Sequence, residues 1–432
     1  MVDASGGEGQ HGLLSRVASA VLAACDPCAS LCAALEPRLD DPSLAGPLVL
    51  IAIGKGAGPM ATEASRLLGE RIARGVVLCP RDHVDRTAEA IADSVEVLGC
   101  DHPLPTASNL EAARHVAGLA ASLGAGDRVL ALLSGGVSAY LASPIPPIKL
   151  DDLRALTDAL LRSGATIDEL NAVRKHCESL KGGGLAKLLA PAWCSAYVLS
   201  DVLGDPIGTI GSGPLAADPT TFAEALDVLE RRGARSEPAR THLERGARGE
   251  IEETLKPGDP ADVVEHHIIA NNDTAVDAAA AALRQEGLEV AEVRRRVRGE
   301  AAVVGRELAE QGGSLAPRSA LVLGGETTVW VGSASGKGGR NQELSLAAAL
   351  EIEGIDGIGV LSLATDGVDG PTDAAGAVVD AHTAALIRSK GIAPEDALAR
   401  HDSHTALDAA GALIRTGPSG TNLNDVMVAV RF

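Results

Sequence analysis

The segment LVLIAIGKGAG, residues 48–58, is an apolar run that ends in a glycine-rich turn holding one lysine. An uninterrupted apolar run predicts a strand buried on both faces, as strands are in parallel sheets covered by helices. The segment after the turn, residues 59–72, has its apolar residues at helical spacing. Strand-like runs and alanine-rich helical segments alternate along the rest of the chain. This alternation predicts an α/β protein built on parallel sheets.

The chain of 432 residues is long enough to predict two domains, because a single hydrophobic core rarely grows to that size. A highly charged stretch with several breaks, residues 231–262, is where we expect the boundary. The predicted N-terminal domain spans residues 1–240 and the C-terminal domain residues 262–414. The last segment, residues 415–432, contains the strand-like VMVAVRF. Its pattern leaves open whether it packs back on the first domain or stays with the second.

Composition and charge restrict the class of ligand. The formal net charge is −20 and aromatic residues make up 1% of the chain, which argues against nucleic-acid and membrane partners. Seven cysteines, an odd number, indicate thiols rather than a disulfide framework. No apolar run approaches membrane-spanning length, and the N-terminal segment resembles an amphipathic helix more than a signal peptide. We therefore expect a cytoplasmic protein with small-molecule substrates.

The turn GKGAGP, from Gly54 to Pro59, differs from a dinucleotide fingerprint. Its third glycine falls one position early, at Gly58, and no acidic ribose ligand ends the next strand. Backbone N–H groups at Gly54 and Gly56, together with the Lys55 side chain, fit a phosphate or carboxylate better than NAD. The alternative is a tight turn with a solvated lysine.

Two further segments suggest anion binding in the first half of the chain. The turn in LLSGGVSAYLASP has hydroxyl and N–H groups suited to a phosphate nest, whereas a serine nucleophile would need the GxSxG pattern that is absent. In LNAVRKHCESLKGGGLA, helical spacing places Arg174 and Lys181 on one face, although a solvated basic face is the alternative. The candidate residues of the turn in LLSGGVSAYLASP are Ser134, Gly135, Gly136 and Ser138.

Acidic and polar residues follow other strand-like runs. Asp201 and Asp205 precede the loop of Ser212 and Gly213, which suits Mg²⁺ beside phosphates, with helix capping as the alternative. The segment GSASGKG, which starts at Gly332, resembles a P-loop but is one residue short and has glycine in place of its Ser or Thr. The remaining polar candidates in the second half are Glu326, Arg340, Asn341, Glu343, Asp366 and Asn422.

Taken together, these segments resemble the D-glycerate 2-kinase family, long labelled hydroxypyruvate reductases, whose second domain is called MOFRL. The matching motifs include IGKGAG, LSGGVSA, SDVLGDPIGTIGSGPLAADPTTF, GGRNQE and ATDGVDGPTDAAG, in the family's order from residue 50 to 426. The resemblance implies a Rossmann-like N-terminal domain, a smaller α/β C-terminal domain and an active site in the cleft between them. It also implies functional roles for Lys55 and Arg340. The chain departs from the family pattern at Val137 and Ala302, and the valine bears on substrate fit.

The resemblance implies ATP-dependent phosphorylation of the C2 hydroxyl of D-glycerate, giving 2-phosphoglycerate and ADP. Lys55 and Arg340 would neutralise the transferred group from opposite domains. Mg²⁺ would bridge the phosphates through Asp201, Asp205 or Asp366, a choice that stays open, as does which loop binds glycerate and which binds ATP. The alternative is an NAD(P)H-dependent hydroxypyruvate reductase, and a third option is a non-catalytic binding module. The oligomeric state is also open, with a homodimer among the options.

Overall fold

The computed structural model describes residues 7–332 and 336–432. The described chain forms two compact units. The large unit is Pro27–Ile269, and the small unit combines residues 7–26 with Ala270–Phe432. The helices, in chain order, are α1 Gly7–Ala24, α2 Pro27–Leu35, α3 Ala57–Leu68, α4 Val84–Ala90, α5 Ala107–Ala121, α6 Val137–Tyr140, α7 Leu150–Arg162, α8 Ile167–Cys177, α9 Gly184–Leu189, α10 Phe222–Arg231, α11 Glu237–Ala247, α12 Asn272–Gln285, α13 Ala301–Ser314, α14 Arg340–Glu351, α15 Thr383–Ser389, α16 Pro394–Ala399 and α17 Ser403–Ala409.

The large unit is built on a six-stranded sheet. Its strands are β1 Leu48–Ile53, β2 Ile72–Pro80, β3 Val95–Cys100, β4 Arg128–Leu133, β5 Trp193–Leu199 and β6 Glu265–Ala270. The order across the sheet is β3-β2-β1-β4-β5-β6, and the pairs from β3 through β5 are parallel. This is the strand order of the Rossmann fold, in which the chain reverses direction across the sheet between β1 and β4. The predicted Rossmann-like fold is therefore confirmed.

Strand β1 lies in the centre of this sheet, and all six of its residues are buried. Its register with β4 sets Ile53 beside Leu133, so the loops that follow the two strands start next to each other. The Ser134 amide donates to the Ile53 carbonyl at 3.1 Å, which extends the pairing by one residue. Ligands of open α/β sheets bind at such a reversal point, beyond the carboxyl ends of the strands.

The small unit has a mixed sheet instead of the parallel sheet that the strand–helix alternation predicted. Its strands are β7 Glu289–Glu300, β8 Ser319–Thr328, β9 Ile358–Ala364, β10 Gly376–Asp380, β11 Leu413–Ile414 and β12 Asp425–Arg431, in the order β11-β10-β9-β12-β8-β7. Among the described strands of this second sheet, β7 and β8 pair in parallel and the other neighbours are antiparallel. The chain passes from β9 to β10 through a loop with no crossover helix, and a parallel pair requires such a crossover.

The compact units differ from the predicted boundaries at α1 and β6, and they decide the place of β12, which the sequence pattern left open. Strand β6 lies at the edge of the large-unit sheet beside β5, although the predicted boundary put it in the second domain. Helix α1 belongs to the small unit, where Leu14, Val17 and Val21 are fully buried and the helix packs on α12 and β9. Strand β12 inserts between β8 and β9 in the small unit and does not return to the large one. Each difference depends on which distant apolar face the segment covers.

Along residues 7–332 and 336–432, no single helix has both the length and the apolar composition needed to cross a membrane.

Candidate active site

The loop after β1 packs tightly against the loop after β4. The Lys55 amide donates to the Gly135 carbonyl at 2.8 Å, and the Gly56 amide donates to Ser134 Oγ at 2.9 Å. The Gly54 amide donates to the Leu78 carbonyl at 3.0 Å. The expectation that the backbone of Gly54 and Gly56 offers N–H groups to an anion is therefore corrected, because these donors are used inside the protein. The Lys55 side chain therefore remains the candidate group of this loop for contact with an anion.

The loop after β4 has the opposite character. The backbone N–H groups of residues 135–138 donate to no other group in the described part of the chain. Gly136 has φ +92°, and helix α6 begins at the next residue. A run of N–H groups on such a turn forms a concavity that suits an anion. The predicted nest thus lies here, while Ser134 is buried and serves the loop after β1.

A histidine that the motifs did not indicate lies beside this nest. A Cβ atom placed on Gly136 would be 3.2 Å from Cδ2 of His102 and 3.6 Å from Cγ of Lys55. His102 follows β3, whose carboxyl end lies at the same edge of the sheet as those of β1 and β4. Burial, and then the charge of Lys55, lower the pKa of His102 to about 4. The sequence signal that could have found it was the polar segment directly after a predicted strand.

Arg174 and Lys181, which were predicted to share a helix face, both contact the Ser138 carbonyl, but Lys181 does so from outside the helix. Helix α8 ends at Cys177, so Lys181 lies beyond it on a turn that folds back. Arg174 Nη2 and Lys181 Nζ both donate to the Ser138 carbonyl, at 3.3 and 2.8 Å. Lys181 is fully buried and also pairs with the buried Glu178, so it supports the nest from inside instead of facing a ligand. Burial, and then the nearby Arg174, lower the pKa of Lys181 to about 7.

Ser212 connects the loop after β5 to the same nest. Its hydroxyl donates to Asn171 Oδ1 at 2.8 Å and lies 2.9 Å from Ser138 Oγ. Gly213 has φ +61°, and a Cβ atom there would lie 2.7 Å from the Gly208 carbonyl oxygen. Ser212 is buried, so its contacts orient Ser138 and leave Ser212 no open face for a phosphate.

The small unit has a cavity of about 460 Å³ that contains several predicted residues. Arg340, at the start of α14, donates from Nε and Nη2 to Asp425 at 2.6 and 3.0 Å, and from Nη1 to Glu326 at 2.8 Å. Burial would lower the pKa of Arg340, but Asp425 and Glu326 outweigh it and raise that pKa. Asp425 is completely buried, and burial raises its pKa against the opposing effect of Arg340. The predicted residues that line the cavity are Glu326, Arg340, Glu343, Asp366 and Asn422.

The N-terminus of α14 is already occupied by a carboxylate of the protein. Buried Asp369 accepts the backbone N–H groups of Asn341 and Gln342 at 3.1 and 2.9 Å, together with both amide side chains. The Asn341 side chain also accepts a hydrogen bond from Ser362 at 2.6 Å. Asn341, predicted to bind substrate, is therefore a buried structural residue. Glu343 is buried too, with His401 Nδ1 2.8 Å from its carboxylate, and burial raises its pKa.

Comparisons with known proteins identify the family. Residues 13–244 match the family described as "Domain of unknown function (DUF4147)", and residues 319–425 match the MOFRL family. The D-glycerate 2-kinase of Thermotoga maritima is 40% identical over 390 residues, which cover 89% of this chain and 90% of that protein. The chain belongs to the glycerate kinase family. A crystal structure of a glycerate kinase from the same organism superposes with a TM-score of 0.88 at 37% identity, covering 98% of this chain and all of that one.

One relative of this glycerate kinase family member carries a different name. A candidate hydroxypyruvate reductase of Agrobacterium vitis is 38% identical over 424 residues, covering 96% of this chain and 93% of that protein. The name matches the alternative activity predicted from the sequence, so the geometry of the loops after β1 and β4 has to be used to choose between the two activities.

The two departures from the glycerate kinase motifs both have buried side chains. Val137 is buried and its side chain faces Gly211, where an added Cβ would lie 2.7 Å from Val137 Cβ. The side chain therefore packs into the core of the large unit. Ala302 is buried in the apolar core of the small unit, on α13.

The candidate metal ligands of this glycerate kinase family member lie in separate loops. Asp201 and Asp205 lie on the loop after β5, and Asp366 lies on the loop after β9. Across residues 7–332 and 336–432, no group of three or more His, Cys, Asp or Glu side chains is arranged to hold a metal ion. A metal at either loop would need ligands from the substrates and water.

Proposed function

We propose that this protein transfers the γ-phosphoryl group of ATP to the C2 hydroxyl of D-glycerate, giving 2-phosphoglycerate and ADP. In this reaction the C2 oxygen forms a bond to the γ-phosphorus, the bond from that phosphorus to ADP breaks, and the hydroxyl proton leaves. The observation that carries the proposal is the nest of N–H groups at residues 135–138 with the Lys55 stem beside it. A cationic, N–H-rich turn at the reversal point of the sheet suits a reaction whose two substrates are both anions.

The protein's contribution to such a reaction is positioning and charge neutralisation. Phosphoryl transfer passes through a loose transition state with its charge spread over the equatorial oxygens. We assign that neutralisation to Lys55 in the large unit and Arg340 in the small unit, and we expect turnover to require both side chains. Asp425 and Glu326 hold the Arg340 guanidinium by three hydrogen bonds, so its direction is set before substrate arrives. This preorganisation reduces the reorganisation cost during transfer.

Mg²⁺ fits the loop after β5 as a cofactor that arrives with ATP. The ion prefers one or two carboxylates together with phosphate oxygens and water, and Asp201 with Asp205 provides such a pair on one short loop. When bound, it would neutralise charge on the β- and γ-phosphates. Asp366 in the small unit is the other candidate anchor. The cytoplasm stays our prediction for the compartment.

The hydroxypyruvate reductase alternative is disfavoured by the loop after β1. A dinucleotide bound to a Rossmann domain places its pyrophosphate on the N–H groups of this turn. Here Gly135 and Ser134 accept those of Lys55 and Gly56. Strand β2 also ends in Cys79 and Pro80, which cannot bind the ribose hydroxyls as a carboxylate would. An NAD(P)H molecule would have to break two internal hydrogen bonds and would still lack its ribose ligand.

A paired assay tests the proposal. One arm measures ADP release with ATP, Mg²⁺ and D-glycerate, with L-glycerate as the stereochemical control, and proton NMR of the product identifies the phosphorylated carbon. The other arm measures NADPH oxidation with hydroxypyruvate. We expect ADP release with the D enantiomer and phosphorylation at C2. NADPH oxidation without ADP release would refute the proposal.

A further inference from the structure

His102 lies where three loops of the large unit meet. It follows β3, whereas Lys55 follows β1 and Gly136 follows β4. A Cβ atom on Gly136 would lie 3.2 Å from Cδ2 and 3.7 Å from Nε2 of His102, and 3.6 Å from Cγ of Lys55. The imidazole and the lysine stem therefore both lie over the same glycine of the nest. A small ligand bound there would contact both side chains.

The loop that carries His102 is held in place by a dense set of hydrogen bonds. Asp101 accepts from Arg81 Nε and Nη2 at 2.6 and 2.9 Å. Asn109 Nδ2 donates to the Asp101 carbonyl at 2.9 Å and to the Ala139 carbonyl at 3.0 Å, which joins this loop to α6. The Tyr140 ring packs edge-on to the imidazole, with centroids 6.1 Å apart. The ring is thus positioned. Part of the residue is exposed to solvent, while the protein atoms packed around the ring desolvate the imidazole.

The electrostatic surroundings of His102 favour the neutral imidazole. Lys55 faces it from the loop after β1, the Tyr140 ring faces it from α6, and the neighbouring Asp101 is paired with Arg81. Burial and the Lys55 charge both lower the pKa of His102, to about 4. Neither ring nitrogen has a hydrogen-bond partner among the described residues, so a lone pair is available. A neutral ring cannot neutralise a carboxylate or a phosphate, but it can accept a proton.

We propose that His102 is the group that accepts the proton of the C2 hydroxyl of D-glycerate as the phosphoryl group is transferred. This proposal rests on the proposed kinase function. The C2 oxygen bonds to the γ-phosphorus, ADP departs with the electron pair of the broken P–O bond, and the hydroxyl proton moves to an imidazole nitrogen. The imidazolium returns that proton to water after the products leave. The acceptor substrate is thereby assigned to the nest of residues 135–138.

The basicity of His102 suits this step. In protein kinases an aspartate accepts the proton of the substrate hydroxyl, and an ordinary aspartate has a pKa near 4. The lowered pKa keeps the His102 imidazole neutral, so the ring can accept a proton as that aspartate does but carries no negative charge. The missing charge matters, because a carboxylate beside the nest would repel both anionic substrates.

The kinetic test replaces His102 by glutamine, whose amide keeps a polar group at a similar position. General base catalysis contributes about 10²- to 10⁴-fold to rate, so we expect kcat of His102→Gln to fall at least about 100-fold. KM for ATP and for D-glycerate should stay within about twofold. His115→Gln is the matched control, because His115 is an exposed histidine of the same unit that pairs with Glu96 at 2.7 Å. It should keep full activity.

Four measurements test proton transfer against a structural role. Added imidazole should restore part of the activity of His102→Ala, whose removed side chain leaves room for it, and should not affect His115→Ala. In the wild type, kcat should be level from pH 6 to 8, because the neutral form predominates above the pKa of about 4. NMR titration of the His102 ring should show no change over that range. Lys55→Met should raise the pKa of His102 only in part, since burial is the larger cause.

Two results would overturn the proposal. The first is an unchanged kcat in His102→Gln, and if KM for D-glycerate rises at the same time, His102 is a binding residue. The second is a loss of activity in His102→Ala that imidazole does not restore in a variant with wild-type circular dichroism. A wild type that releases no ADP with glycerate would refute the kinase function itself, so the two failures are distinguishable.

Discussion

Replacing Gly54 by alanine tests how closely the loops after β1 and β4 must approach. Gly54 has φ +128°, and an added Cβ would lie 2.7 Å from the Ser134 carbonyl oxygen and 2.9 Å from that of Gly135, besides contacting Ser134 Oγ. The backbone conformation costs a non-glycine residue about 1–3 kcal/mol. Forcing a methyl group against rigid neighbours costs about 1–3 kcal/mol more. Gly54→Ala should therefore lower the free energy of unfolding by about 2–6 kcal/mol, a large part of a typical 5–15 kcal/mol.

Gly69→Ala is the matched control for the conformational part of that cost. Gly69 also lies in the large unit with a positive φ, +54°, but nothing lies within 4 Å of an added Cβ. Gly69→Ala should lower the free energy of unfolding only by the conformational cost, about 1–3 kcal/mol. The chain has two tryptophans, so in a Trp330→Phe background the fluorescence of Trp193, in β5, reports unfolding of the large unit in urea.

The activity of Gly54→Ala provides a second measurement. If the loops must separate to fit the methyl group, Lys55 and the nest move apart, and a misplacement of about 1 Å can cost about 100-fold in rate. We expect kcat to fall at least about tenfold at a temperature where the variant is folded, with Gly69→Ala near the wild type. Equal urea midpoints and equal kcat for the two variants would refute the close approach of these loops.

Three further predictions follow from the site. Lys55→Met should reduce kcat by about a thousandfold while the variant stays folded, because it removes a cation that acts on the transferred group; wild-type turnover would end that assignment. Lys181→Met should lower the free energy of unfolding by about 1–3 kcal/mol, because buried Glu178 loses its nearest cation and keeps Arg174 at 3.8 Å and the Ser143 N–H at 3.1 Å. The double variant with Glu178→Leu should recover most of this loss in the same urea experiment, and a loss equal to the sum of the single variants would contradict the pairing. Asp425→Asn should lower kcat by weakening the bidentate grip on Arg340 while the KM for D-glycerate changes little, which steady-state kinetics would check; an unchanged kcat would show that Arg340 needs no anchoring.

Much of the large unit could be predicted from local sequence. The run LVLIAI indicated a strand buried on both faces, and the structure buries all six residues in the centre of a parallel sheet. The prediction held because burial on both faces demands an uninterrupted apolar run, which is visible without any partner strand. The polar segments after such strands indicated where ligands bind, since carboxyl ends of parallel strands share one edge.

The small unit was less predictable. Its strands and helices were recognisable, but their pairing was not, because β12 joins β8 and β9 across long separations in sequence. Helix α1 and strand β6 were assigned to the wrong side of the boundary for the same reason. Apolar periodicity shows that a face is buried and does not show which distant surface covers it.

The sequence by itself determined the buried parallel strands and the loops that carry chemistry, and its resemblance to a known family added the Rossmann-like order and the choice of Lys55 and Arg340 as candidates. Only the tertiary structure decided which donors remain for a ligand. In the described residues, the N–H groups of Gly56 and Lys55 form internal hydrogen bonds, whereas those of residues 135–138 have no acceptor in the protein. The tertiary structure also buries Lys181 against Glu178 and places His102 beside the nest. The physical reason is that a hydrogen bond or a buried charge depends on partners far away in the chain, whereas strand and turn preferences are local.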